Sequence, residues 1–231
     1  MKNKQRSKSF FREVQGEVNI NYPLRLTFYL VGVIVFSAGI TLTINMQHLG
    51  IHPWDVLSVA FYEKAGLSIG SWNIIISAIL ITITFVIGRE YIKLGTFMNA
   101  ILVGVFVDLY RWLDILPNAT HTWTDILFII LGIVIMGFGG GMYNAAGLGA
   151  GPRDGFMLSI ADKLGASIGR VRIITECSVL VIGLIIGGPV FVFTFIFTFI
   201  QSPIFQFTYL RLGNVVLQRD YKQPSKATDA K

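Results

Sequence analysis

Asp108 and Glu176 stand inside long apolar runs, where an unpaired acid near the centre of a bilayer costs on the order of 3 kcal/mol by insertion scales. A group in that position needs a reason. Each has a base one helical turn away, Arg111 three residues after Asp108 and Arg172 four residues before Glu176, so an ion pair is one reading and proton uptake beside a solute is the other. Two more acids belong to a repeat. Gly50-Ile51-His52-Pro53-Trp54-Asp55 returns as Gly149-Ala150-Gly151-Pro152-Arg153-Asp154. Proline suits the first position of a helix because it has no amide hydrogen to leave unpaired, and an acid in the first turn complements the positive helix end. Asp55 and Asp154 therefore either cap two short interfacial helices or bring carboxylates into a shared cavity on re-entrant ones.

The repeat extends in both directions. Upstream Asn45 pairs with Asn144, and downstream Lys64, Gly66 and Ser68-Ile69-Gly70 pair with Lys163, Gly165 and Ser167-Ile168-Gly169. An asparagine at the end of a helix either caps it through the left-handed conformation or coordinates a solute. With one residue skipped in the second copy, Gly95-Thr96 meets Phe193-Thr194 and Asp108 meets Gln206, while Gln201-Ser202-Pro203 breaks the last apolar run. The candidate cavity set is thus Asn45, Asp55, Asp108, Asn144, Arg153, Asp154 and Glu176.

Other chemistry finds little support. His48 and His52 have a metal-compatible spacing, but Gly50 and Pro53 place a turn between them and no carboxylate completes a site. The glycine-rich stretch Gly137-Phe138-Gly139-Gly140-Gly141 lacks the Gly-Lys-Ser/Thr of a phosphate loop and reads as close helix packing. No serine, threonine or cysteine has a base beside it in a motif, so neither an enzyme nor a cofactor is expected. The single cysteine, Cys177, excludes an intrachain disulfide.

The elements that must position these residues are membrane helices. Hydrophobic residues make up 53% of the 231 and charged ones 14%, against about 25% charged in soluble domains, and the mean hydropathy is +0.65. Apolar stretches near 26–46, 71–88, 95–113, 123–146, 171–188 and 190–212 are long enough to span about 30 Å of hydrocarbon. Segments 53–64 and 152–163 are too short and carry charges. The net charge of +6 reads as the basic bias of cytoplasmic segments rather than as a nucleic-acid surface. Six crossings with the N-terminus inside leave only Lys64 and Arg111 outside, although an eight-crossing count separates the charges almost as well.

Three crossings per repeat invert the second copy. The expected fold is an all-α membrane protein of six transmembrane helices in two inverted three-helix repeats, each with a short non-spanning helix. Its expected parts are a basic cytoplasmic tail (1–24) with no removable signal peptide, a first membrane repeat (25–113), a second (114–212) and a second basic cytoplasmic tail (213–231). Inverted repeats recur in secondary transporters, whose sites lie where the repeats meet.

Leu49-Gly50-x-x-Pro53-Trp54-Asp55, Gly70-Ser71-Trp72, Gly95-Thr96-x-x-Asn99-Ala100 and above all Gly149-Ala150-Gly151-Pro152-Arg153-Asp154-Gly155 resemble the bacterial YczE/YyaS/YitT-type integral membrane proteins, with the YczE branch nearest in look. The resemblance covers about residues 25–212. Phe191, Phe193 and Ser202 depart from it, in places where that family tends to carry glycine. It implies a multi-pass protein of the bacterial plasma membrane, with some members looking like accessories to secondary-metabolite production, and it implies no catalytic centre. The reading is a small-solute transporter or permease surrounded by lipid; the alternative is a membrane accessory or scaffold for a biosynthetic enzyme assembly.

Overall fold

The computed structural model describes residues 22–166 and 168–221. Most of both expected tails, and the Ser167 of the second repeat, lie outside the described residues. The described residues form eight α-helices: α1 (Tyr22–Asn45), α2 (Pro53–Ala65), α3 (Ile69–Ile87), α4 (Leu94–Leu113), α5 (Thr124–Ala145), α6 (Pro152–Lys163), α7 (Ile168–Ile186) and α8 (Val192–Tyr221). One-turn 3₁₀ segments at Gln47–Leu49 and Arg89–Tyr91 join some of them. The short helices thus form where proline and the first-turn acid placed them. Five helices, α1, α3, α4, α5 and the Val192–Val216 part of α8, are long and apolar enough to cross a membrane. The expected sixth, α7, has 19 residues but carries three charged ones, Arg170, Arg172 and Glu176, in its first half, and it is not among the five.

The bundle is organised on the crossing of α1 and α5. These helices run antiparallel: Arg25 near the start of α1 donates to the Ala146 carbonyl just past the end of α5 (3.1 Å). Glycines let the two backbones touch. A Cβ on Gly32 would lie 2.5 Å from the Tyr143 amide nitrogen, and one on Gly39 would lie 2.7 Å from that of Met136. Gly132 and Gly139 answer from α5, facing Thr43 and Phe36. The next glycines turn to α8, where Gly137 meets Ile204 and Gly141 meets the Phe205 carbonyl and Thr208. So the glycine-rich stretch packs one helix between two others, as small residues do in apolar surroundings where no hydrophobic drive brings helices together.

The short helices begin inside the bundle and leave it in opposite directions. Past its end, α2 reaches the beginning of α3, where the Trp72 indole donates to the Gly66 carbonyl (2.7 Å). The end of α6 reaches the other end of α3, with Gly88 facing Ser159 and the Tyr91 hydroxyl bonded to Asp162. Their starts are held alike. Gly50 and Gly149, at φ of 112° and 145°, each back onto the threonine at the third position of a long helix, Thr194 of α8 and Thr96 of α4. A Cβ would come within 2.7 Å of Thr194 and 2.9 Å of Thr96, and left-handed φ adds strain for any other residue.

Gly32→Ala should therefore cost about 1–3 kcal/mol by overpacking, seen as a lower melting temperature in detergent. Gly66→Ala, where no atom lies within 4 Å, should cost a comparable amount, about 1–3 kcal/mol, through the backbone alone, since φ 69° with ψ −149° is a conformation essentially confined to glycine.

Candidate functional site

Where α2 and α6 begin, the bundle holds a polar cluster built from both. Asp55 is fully buried and binds the Arg153 guanidinium at 2.9 Å, and the same Arg153 nitrogen donates to Asn73 Oδ1 of α3 at 2.6 Å. The Trp54 ring lies under that guanidinium, 5.7 Å from centroid to Cζ. Asp154 binds Arg172 of α7 (3.0 Å), and Arg172 Nε stands 3.6 Å from Glu176 Oε1 one turn on. Both acids of the repeat are thus paired to arginines on other elements. Asp154 also accepts from the Asn144 amide (3.3 Å), and Asn144 donates to the Gly140 carbonyl (2.9 Å).

His52 joins the two pairs. It is the N-cap of α2, its Nδ1 accepting from the Trp54 amide (3.4 Å), which leaves the proton on Nε2, 3.9 Å from Glu176 Oε1. Burial above all, then the charges of Arg153 and Arg172, holds the imidazole well below its ordinary pKa. His52 is a neutral member of the cluster at physiological pH.

All of these groups but Asp55 and Asn144 belong to residues that line a cavity of about 60 Å³, room for a few water molecules or the head of a small solute. Arg153, Asp154, Arg172, Glu176 and His52 form its charged and polar wall, with Asn73, Asn99, Ser77 and Tyr143. Phe36, Val103, Met136, Met157 and Phe205 supply an apolar side, and Gln201 and Ser202, ahead of Pro203, complete it. The polar break in α8 faces the cavity.

Of the sequence candidates, the structure brings Asp55, Asn144, Arg153, Asp154 and Glu176 together. Asn45 lies elsewhere and donates to the Pro117 carbonyl (3.1 Å), tying the end of α1 to the loop before α5. Asp108 is also apart: it receives the Gly70 amide (2.9 Å) and the Ser68 hydroxyl, so it satisfies the start of α3 from α4. Arg111 sets its guanidinium 5.7 Å over the Tyr62 ring. His48 faces Asp125 (3.2 Å), remote from His52. Sequence reasoning passed over Asn73, Asn99 and Tyr143. The signal available for them was an amide or a phenol within an apolar stretch, weaker than a charge.

A family model described as "Family of unknown function (DUF6198)" matches residues 23–210. The chain is 40% identical over 167 residues to the uncharacterized membrane protein YczE of Bacillus subtilis, covering 72% of this chain and 77% of YczE. It is 32% identical over 164 residues to an uncharacterized protein of Haemophilus influenzae (71% and 74% covered) and 30% identical over 170 residues to the uncharacterized protein YyaS of Bacillus subtilis (72% and 83%). No solved structure matches.

The Asp55–Arg153 link is open to a double-mutant cycle. Asp55→Asn and Arg153→Met alone should each destabilise by about 3 kcal/mol, because each strands a buried charge, while the double variant should recover much of that loss. Chemical unfolding in detergent measures both, and additive losses would show that the pair is not coupled.

Proposed function

We propose that this chain, which belongs to the family of unknown function DUF6198, carries a small polar solute across the bacterial plasma membrane. The observation that carries the reading is the charged cavity at the meeting of two short helices. Five ionisable side chains cost too much in an apolar bundle to be needed for packing alone. A cavity walled by both halves of the chain is what an alternating-access protein requires at its centre.

In this reading α7 is the sixth crossing. Two of its charges, Arg172 and Glu176, turn to the cavity, and Arg170 lies in its first turn, where a long side chain reaches the interface. The halves are inverted copies, and both basic tails are cytoplasmic. Matched contacts support the inversion: Gly50 against Thr194 and Gly149 against Thr96 are equivalent under the sequence repeat, and each joins one half to the other. The chain works by binding and rearrangement, without covalent chemistry, cofactor or nucleic acid, and its constant partner is lipid.

Two measurements test it. In a Cys177→Ala background, single cysteines replacing Leu67 and Ala166 are labelled in intact cells with an impermeant thiol reagent. Reaction at 67 and protection at 166 is expected; equal reaction would remove the inversion. Purified protein in liposomes is then given radiolabelled propionate, alanine and choline in turn. At least one should accumulate above empty vesicles, and Asp154→Asn should cut that flux tenfold or more with an unchanged gel-filtration profile. Flux of none would turn the reading to a non-transporting accessory of an enzyme assembly.

A further inference from the structure

The two short helices begin on different chemistry. α6 starts on Gly151, which cannot titrate, whereas α2 starts on an imidazole. His52 is 7% exposed and is surrounded by groups from three other helices. Arg153 of α6 and Arg172 of α7 act on it through their charges, Glu176 of α7 stands 3.9 Å from its Nε2, and the Phe197 ring of α8 packs edge-on against it, centroids 5.1 Å apart. Asp55 and Asp154 lie one contact further out, on Arg153 and Arg172. The two imidazole nitrogens have separate duties: Nδ1 accepts from the Trp54 amide at the helix start, and Nε2 faces Glu176.

A ring nitrogen that accepts a hydrogen bond cannot carry a proton as well, and an imidazolium has two N–H groups and no lone pair. A proton added to His52 therefore goes to Nδ1 and leaves the Trp54 amide without its acceptor. It also sets a full positive charge opposite Glu176, whose Oε1 already faces Arg172 Nε at 3.6 Å. One proton thus withdraws the cap of α2 and offers a second cation to a carboxylate of α7. Burial above all, then the two arginine charges, opposes that proton in the arrangement observed. An arrangement that relieves the burial of His52 takes the proton up, and acid shifts the population toward it. The change is not confined to the ring. The neighbouring Ile51 amide donates to Thr194 Oγ1 of α8 (3.2 Å), so a displaced α2 start pulls on the contact that joins it to the last helix.

We infer that His52, with Glu176 as its counter-charge, is a proton-binding site: neutral, the imidazole caps α2 and holds the arrangement described above; protonated, it gives up the cap, pairs with Glu176 and favours a second arrangement of the α2 start. This deepens the carrier reading by naming the proton as the coupled ion. It rests on that reading for its purpose, while proton binding itself is measured with no solute present.

The chain has three histidines, so the full protein in detergent, with nitrogen-15 in its imidazoles, gives few enough signals to assign by NMR. His52→Asn identifies the His52 pair directly; should that variant fail to fold, His48→Gln and His121→Gln identify it by subtraction. The His52 nitrogens should show the Nε2–H tautomer at neutral pH and take a proton between the ordinary imidazole value of about 6.5 and about pH 4.5. Glu176→Gln should make that proton about threefold or more harder to bind, because it removes the counter-charge. Stability should follow with a definite sign. The unfolded chain protonates this imidazole near the ordinary value and the observed arrangement does not, so acidifying from about pH 7.5 to about 5.5 lowers the melting temperature. His52→Asn, whose amide oxygen caps without titrating, should lose less. A His52 that stays neutral throughout, or a midpoint unmoved by Glu176→Gln, overturns the inference. Solute flux in the liposomes that ignores an imposed pH gradient, with no titration of His52, would sink the proton site and leave the carrier standing. Titration that depends on Glu176, with no flux of any solute, would uphold the proton site and sink the carrier.

Discussion

Two helix beginnings meet in the interior of an apolar bundle, and most of the architecture answers that constraint. A helix start presents unbonded amides, and in a low-dielectric interior each must be met by protein or by a bound group. At α2 the answer is His52, a side chain that burial keeps neutral. At α6 it is not a cap at all but a glycine beside a cavity. Proline at both first positions removes one amide from the problem, and the acids of the first turns bring arginines with them. Arg153 then has to be neutralised by Asp55 of the other half, and Asp154 by Arg172. The ionic cluster follows from where the chain starts its short helices.

The long helices supply the frame that this arrangement needs. Close approach of α1 and α5 through Gly32, Gly39, Gly132 and Gly139 leaves the two chain segments that follow them, 46–52 and 146–151, at opposite ends of one crossing. From there each segment returns inward to begin its short helix. Gly50 and Gly149 make the return possible, since only a residue without a side chain fits so close to Thr194 and Thr96 at those φ values. Packing and site are thus one problem, solved by glycine in both places.

The legible parts of the sequence were those with local causes. Proline followed by an acid two residues on marks a helix start whatever surrounds it, and both short helices begin at the predicted proline. Glycine density announced close packing, and α5 uses it on two faces. Partners distant in sequence were not legible: Asp55 meets Arg153 across 98 residues and Asn73 meets Arg153 across 80. Asp108 shows the limit from the other direction. A carboxylate within an apolar stretch suggested a cavity group, but it satisfies the first amides of α3, a need created by tertiary packing and invisible in hydropathy. The roles of Arg172 and Glu176 in α7 were no more legible, because the partners that place them at the cavity, Asp154 and His52, come from other elements.

A polar cluster that only held the bundle together would close its hydrogen bonds. Here Asp55 Oδ2 and Arg172 Nε within the ion pairs, and the N–H groups of Trp54 and Asn73 beside them, have no hydrogen-bond partner among the described residues. Arg153 spends its guanidinium on Asp55 and Asn73, which fixes the asparagine with its amide hydrogens turned away from that contact. The pair thereby orients a donor that it does not use itself. Sites that bind well are built this way, with a rigid outer set of contacts aiming a small number of unsatisfied groups. The Asp55–Arg153 pair also ties α2 to α6, so a solute that altered the balance at Arg153 would act on that joint as well as on its own pocket. In the carrier reading, binding and rearrangement share that one residue.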